Sequence, residues 1–138
     1  MKRVSIAFWS LLTAVGMAAV LAMATLATQR PLAWMALVSA ADVVLMLSLL
    51  RLAPGLTRAA LAAANTTLSI VLAWWFIAAS QMAPMLGLHP LQSLQRMSPQ
   101  LAFSLSAATF SDGDRLLAAA SIALAALWGF AVRLPDQR

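Results

Sequence analysis

One acidic residue, Asp42, lies near the middle of an otherwise uncharged apolar run from Pro31 to Leu50. A carboxylate at the centre of a bilayer costs about 2.5–3.5 kcal/mol on insertion scales, so such residues normally face protein or water. Intramembrane acids mark proton pathways, polar contacts between helices or ion pairs with a partner. Asp42 is therefore the first candidate for chemistry in this chain.

Polar residues of the next apolar run are placed to meet Asp42. If Arg51 lies across from Arg58 in a helical hairpin, Asp42 lies opposite Thr67. The predicted intramembrane polar cluster comprises Ser39, Asp42, Asn65, Thr66, Thr67 and Ser69. We expect its hydrogen bonds to satisfy a neutral Asp42, because burial disfavours the charged form.

Three roles for Asp42 remain open at this point. A protonatable acid in a polar pocket suits proton-coupled transport. The same group suits a clamp, because polar side chains hydrogen-bond across membrane helices. It also suits an ion pair with an arginine of another subunit.

The elements that position Asp42 follow from composition. The 138 residues are 63% hydrophobic and 9% charged, whereas a soluble domain carries roughly 25% charge. Apolar runs of about 20 residues cross a membrane, and helices satisfy their own backbone there. The sequence predicts an all-α integral membrane protein, a four-helix transmembrane bundle in a single domain. Its spans are expected at about 5–28, 31–50, 59–80 and 116–132.

The basic residues predict the orientation of the chain. They stand singly or in one pair at the ends of apolar runs, which is typical of membrane topology and not of a nucleic-acid-binding patch. Six of the nine fall on one side of the predicted membrane and three on the other. By the positive-inside rule we expect cytoplasmic N- and C-termini. The Ala-, Leu- and Arg-rich composition suggests a GC-rich bacterium, and we expect the chain to reside in a bacterial inner membrane.

The third connection, residues 81–115, is much longer than a turn requires and too apolar for disorder. We expect an amphipathic extracytoplasmic segment with a short helix after Pro90, ended by Pro99, and then a strand-like alternation. Its candidate contact residues are Leu91, Leu94, Met97, Leu101, Phe103 and Leu105. The segment either lies on the membrane surface or a partner, or caps its own bundle. Ser111 and Asp114 have the spacing of a helix-capping box.

Two rows of small residues predict close helix packing. The candidate helix-packing residues are Ala14, Ala18 and Ala22 in the first span, with Ser121, Ala125 and Gly129 in the fourth. Rows of this spacing let helix backbones approach closely. Since four helices need not use both rows internally, we expect one to serve assembly with another protein.

The residue inventory argues against catalysis. The chain has no cysteine and one histidine, so no thiolate, iron–sulfur, bis-histidine haem or zinc triad can form within it. No glycine-rich phosphate loop is present, and we expect no metal and no cofactor. The predicted function is a non-catalytic accessory subunit of a larger inner-membrane complex, bound to lipid and to other membrane subunits. The alternative is a small homo-oligomeric proton-coupled transporter that uses Asp42.

Overall fold

A computed structural model describes residues 2–28, 34–50, 52, 55–87 and 89–131. These residues form six helices and no strand, which confirms the all-α prediction for the described part of the chain. Positions 31–33 and 132 of the predicted spans lie outside the described residues. The helices are α1 Lys2–Thr28, α2 Met35–Leu49, α3 Leu56–Met85, α4 Pro90–Arg96, α5 Pro99–Thr109 and α6 Asp112–Ala131.

Three of these helices are long and apolar enough to cross a membrane: α1 from Phe8 to Thr28, α3 and α6. The chain is accordingly a membrane protein. Helix α2 is apolar but has 15 residues, a length of about 22 Å at 1.5 Å per residue. It is shorter than a hydrocarbon core of about 30 Å.

Helix α3 is the longest element and the centre of the packing. Its 30 residues extend about 45 Å, beyond the predicted span of 59–80 at both ends. The chain leaves α3 at Gly87, whose φ of 61° lies in the left-handed region that favours glycine. Helix α3 contacts each of the other five helices.

Helices α1 and α6 lie on opposite sides of the α2–α3 pair. Each contacts both α2 and α3, and in the described part of the chain they do not contact each other. The helices approach closely because small side chains fill the interior. Fully buried alanines are found on all four helices, at Ala14, Ala18, Ala40, Ala62 and Ala125.

The short helices α4 and α5 pack against the carboxyl-terminal half of α3. Their contact is an apolar cluster of Ala78, Ala79, Met97 and Ala102, bordered by Trp75, Met82, Leu94 and Leu105. The predicted capping box at the start of α6 is confirmed: Asp114 Oδ2 accepts from Ser111 N at 2.9 Å, and Ser111 Oγ accepts from Asp114 N at 3.3 Å. The end of the molecule that carries these helices is called the α4/α5 end below.

The strand-like interpretation of residues 101–105 is wrong, because this stretch belongs to α5. Ser98 caps the helix by accepting from Leu101 N at 3.3 Å, and Pro99 occupies its first turn. Such a start favours a helix more strongly than a five-residue alternation favours a strand. The buried residues of α5 are Ala102 and Ser106, which have the i, i+4 spacing of one helix face.

The candidate contact residues of this segment divide between two surfaces. Leu94, Met97 and Leu105 face α3, as a cap on the chain's own helices would. Leu101 and Phe103 point outward and are exposed. The side chain of Leu91 lies outside the described residues.

Candidate functional site

Asp42 stands at the midpoint of α2, about 10 Å from either helix end. The buried stripe of α2 consists of Ala36, Ser39, Ala40, Val43, Val44, Leu47 and Ser48. Asp42 lies outside this stripe and is partly exposed, beside the exposed residues Val38 and Leu45. Its carboxyl group is therefore on the flank of α2 and not in the centre of the bundle.

No hydrogen bond between described residues involves Asp42, so the expected bonds from Asp42 to the polar cluster are not formed. The antiparallel hairpin fixes the depth of each residue, but it does not fix which side of α2 faces α3. The larger apolar stripe of α2 takes that side, and Asp42 is rotated away from it.

The remaining members of the predicted cluster occupy three environments. Asn65 is buried toward α1, and its Nδ2 donates to Thr13 Oγ1 at 3.4 Å. Ser69 is fully buried and donates to Asn65 O at 3.0 Å. Thr67 is exposed and donates to Ala63 O of its own helix at 2.8 Å. Polar side chains thus join α1 to α3 without Asp42.

Ser39, Thr66 and Ser121 form a layer of hydroxyl groups where α2, α3 and α6 meet. One apolar cluster contains Ala36, Ile70 and Ala118, one residue from each helix. A second contains Val43, Ala62 and Ala125. The three hydroxyl residues lie between these clusters, three or four positions from a member of each, so they share the same helix faces. All three are fully buried, and we call them the hydroxyl layer.

Ser121 is a residue that the sequence singled out for packing and not for polarity. Its Oγ donates to Leu117 O at 2.7 Å. In contrast, Ser39 Oγ and Thr66 Oγ1 are buried with no hydrogen-bond partner among the described residues. Buried hydroxyls of this kind are uncommon and call for an explanation.

Both small-residue rows are buried within the chain, which corrects the expectation that one of them serves assembly. Ala14, Ala18 and Ala22 are buried, the last two in clusters with residues of α3. Ser121, Ala125 and Gly129 are the buried stripe of α6, together with Ala118. The central helix α3 needs a close neighbour on two sides, so the packing within one chain uses both rows.

Arg58 is the residue that sequence reasoning missed. Its position at the end of an apolar run predicted a topology determinant in a connection. In the structure it belongs to the first turns of α3 and is fully buried. The start of α3 lies against the end of α2, which places the Arg58 side chain inside.

The guanidinium of Arg58 binds the carboxyl-terminal end of α2. Its Nη2 donates to Ser48 Oγ and to Val44 O at 3.5 Å, and its Nη1 donates to Leu52 O at 3.5 Å. The helix dipole places negative potential at this end of α2, which favours a cationic partner. Arg58 is thus a cationic cap that joins α2 to α3. Ser48, a polar residue in the α2 stripe, is the sequence signal that could have pointed to it.

A crevice opens at the α4/α5 end between α1 and α6. Its volume is about 30 Å³, and its lining includes Thr25, Trp74, Phe110 and Asp114. The lining also includes Ala36, Ile70 and Ala118, the apolar cluster next to the hydroxyl layer. The crevice can hold a few water molecules, and its volume is far below the 300–1,000 Å³ of ligand pockets.

No protein-family model matches the chain, and no curated protein or solved structure is significantly similar to it. Its function must be inferred from its own residues and their geometry.

Proposed function

We propose that this chain is a non-catalytic small subunit of a larger complex in the bacterial inner membrane. Its docking face is the side of α2 that carries Asp42. We define the Asp42 flank as Val38, Ala41, Asp42, Leu45 and Leu49, which are exposed except for the partly exposed Asp42.

The observation that carries the proposal is that Asp42 lacks a hydrogen-bond partner among the described residues while lying at the middle of an apolar helix. A carboxyl group facing lipid at this depth is costly. A donor on a second membrane protein would remove that cost. Among the other polar residues near this depth, Ser39, Thr66 and Ser69 are buried in the bundle. The exposed hydroxyl of Thr67 is bonded to Ala63 O of its own helix, so Asp42 is the described group best placed to meet such a donor.

The chemistry of the flank defines the partner. Aliphatic residues surround one acid, so the complementary surface is an apolar transmembrane helix with one arginine, lysine or amide donor. A charge-assisted bond to a carboxylate is about twice as strong as a neutral one. Burial between two proteins would strengthen it further, because the surroundings are of low dielectric.

The complete architecture belongs to this proposal. We infer that α2 crosses the membrane with α1, α3 and α6 as a four-helix transmembrane bundle, with both termini in the cytoplasm. A helix of 15 residues can do so where the bilayer thins or neighbouring helices shield its ends, at fractions of a kcal/mol per Å. Thinning would also bring Asp42 closer to water.

The second candidate function is a homo-oligomeric proton-coupled transporter. It is favoured by the position of Asp42 one helical turn from Ser39 of the hydroxyl layer. Two copies that meet through the Asp42 flank would bring two acids together, which is a known means of raising the proton affinity of one of them. The crevice of about 30 Å³ is too small for a solute, so transport would require a passage between copies.

Site-specific photocross-linking tests the docking face. A photoreactive residue at Leu45, one turn from Asp42 and 55% exposed, is expected to cross-link a second membrane protein in native membranes. The same residue at Val71 of α3, 41% exposed, is the matched control on another face. The Leu45 adduct should weaken with Asp42→Leu and persist with Thr67→Leu, which changes an exposed polar residue outside the flank.

Each outcome has a definite meaning. An Asp42-dependent adduct with a different protein supports the subunit. An Asp42-dependent adduct with a second copy of this chain supports the oligomeric transporter. Adducts from Leu45 that do not respond to Asp42→Leu, or reaction with lipid alone, would refute the Asp42 flank as a docking face.

A further inference from the structure

The hydroxyl layer contains more hydrogen-bonding capacity than the protein uses. Ser39 Oγ and Thr66 Oγ1 each bring one donor and two acceptor sites, and neither has a partner among the described residues. Ser121 Oγ donates its hydrogen bond to Leu117 O, and its acceptor sites stay available. Two donors and at least one acceptor thus meet in a fully buried layer.

We propose that the hydroxyl layer binds one water molecule that links α2, α3 and α6. The water accepts from Ser39 Oγ and from Thr66 Oγ1 and donates to Ser121 Oγ. Three hydrogen bonds are the usual number for a buried water. Each of the three helices contributes one of them.

The packing around the layer favours water as the occupant. The neighbouring layers are rich in alanine, with Ala36 and Ala118 on one side and Ala62 and Ala125 on the other. Serine and alanine side chains are small, so the side chains around the layer take up little volume where three helices meet. An orphaned hydroxyl in such surroundings loses its solvation without compensation, so a bound water lowers the free energy of the folded state.

The crevice provides an entry route for this water. Its lining includes Ala36, Ile70 and Ala118, the apolar cluster next to the hydroxyl layer. Asp114, which is partly exposed at the α4/α5 end, also lines the crevice. Water that enters there has one layer of mostly small side chains to pass.

Water-to-protein magnetisation transfer in solid-state NMR tests the site directly in lipid bilayers. Transfer from water is expected at the amides of Ser39, Thr66 and Ser121. The amides of Val43, Ala62 and Ala125, one helical turn further from the α4/α5 end, are the control, and we expect no transfer from water there. Absence of transfer at all three hydroxyl residues would overturn the proposal.

Thr66→Val provides a second, independent measurement. It keeps the side-chain shape and removes the hydroxyl, so it should lower the thermal midpoint in detergent and abolish transfer at Ser39. Thr67→Val is the matched control, because Thr67 is exposed and bonds only to its own helix. It should change neither quantity.

The direction in which Thr66→Val moves the thermal midpoint distinguishes a hydroxyl layer that binds water from one that does not. Removal of a dry, unsatisfied hydroxyl relieves a desolvation penalty, so the Thr66→Val midpoint would rise or stay unchanged, and either result would overturn the proposal. If Thr66→Val does not fold, Ser39→Ala is measured in the same way. Where both variants fold, the effects of Ser39→Ala and Thr66→Val on the thermal midpoint should be non-additive, since both remove bonds to one water.

Discussion

Gly129 of α6 lies against the backbone of Ala59 of α3 so closely that a Cβ atom at Gly129 would be 3.0 Å from the Ala59 Cα. The same atom would be 3.1 Å from the carbonyl oxygen of Arg58. Both neighbours are backbone atoms near the start of α3 and cannot rotate away. The contact fixes the distance between α3 and α6 beside the buried guanidinium of Arg58.

Gly129→Ala should therefore destabilise the fold by about 1–3 kcal/mol, the usual range for overpacking a close contact. Gly16→Ala is the matched control, because Gly16 is also helical and a Cβ there meets no atom within 4 Å. That change should be neutral or stabilising, since alanine is the better helix former. Unfolding of both variants in mixed micelles measures the difference, and equal stabilities would refute the close contact.

Arg58→Met should lower the free energy of unfolding by about 1.5–3 kcal/mol, the range for hydrogen bonds to charged groups. The substitution keeps an apolar stem and removes the donors to Ser48 Oγ and to the α2 carbonyls. Arg96→Met is the control, because Arg96 at the end of α4 is exposed and forms no hydrogen bond with another described residue, so the change should alter stability by less than about 0.5 kcal/mol. A wild-type stability for Arg58→Met would show that the cationic cap contributes nothing.

Phe110→Ala should cost roughly 3 kcal/mol, as for other buried aromatic residues. Phe110 is 7% exposed and stacks on Trp74 with ring centroids 4.7 Å apart. Phe103→Ala, at 71% exposure in the same segment, should change stability by less than about 0.5 kcal/mol. Loss of partner binding by Phe103→Ala without loss of stability would assign the outward face of α5 to a partner. Similar stabilities for the two variants would contradict the packing of Phe110.

Asp42→Asn separates the roles of the acid. The amide keeps the size of the side chain but carries neither charge nor a releasable proton. In the proposed subunit it should leave the purified protein stable and reduce co-purification of the partner, whose donor would lose its counter-charge. If the chain is a transporter, Asn should instead abolish pH-dependent flux in proteoliposomes. A stability loss in the isolated protein, with binding and flux intact, would mean that Asp42 acts as a clamp between helices.

The topology proposal is tested by reporter fusions. Fusions at both termini should report the cytoplasm, and a reporter inserted near Gln95, in α4, should report the opposite side. The expectation follows from the distribution of the nine basic residues. A cytoplasmic signal at Gln95 would invert the orientation of every helix and move the crevice to the inner side.

The sequence by itself determined the helices and their apolar character. Long runs without charge must satisfy their backbone internally in lipid, so α1, α3 and α6 could be located to within a few residues. The capping box before α6 was equally readable, because it depends on two side chains three positions apart. The alternation of apolar and polar residues at 101–105 led to the wrong prediction of a strand, because the helix start at Ser98 and Pro99 was the stronger signal.

Only the tertiary structure decided which faces turn inward. In a soluble protein the apolar face of a helix is the buried one, but in lipid both faces are apolar and the pattern loses this meaning. Close packing by small residues decides instead which face of each helix turns inward. It buried both small-residue rows. The same packing directed Ser39 inward and Asp42 outward, although the two are neighbours on one helix. It also buried Arg58, since only the fold brings the start of α3 to Ser48 and Val44 O at the carboxyl-terminal end of α2.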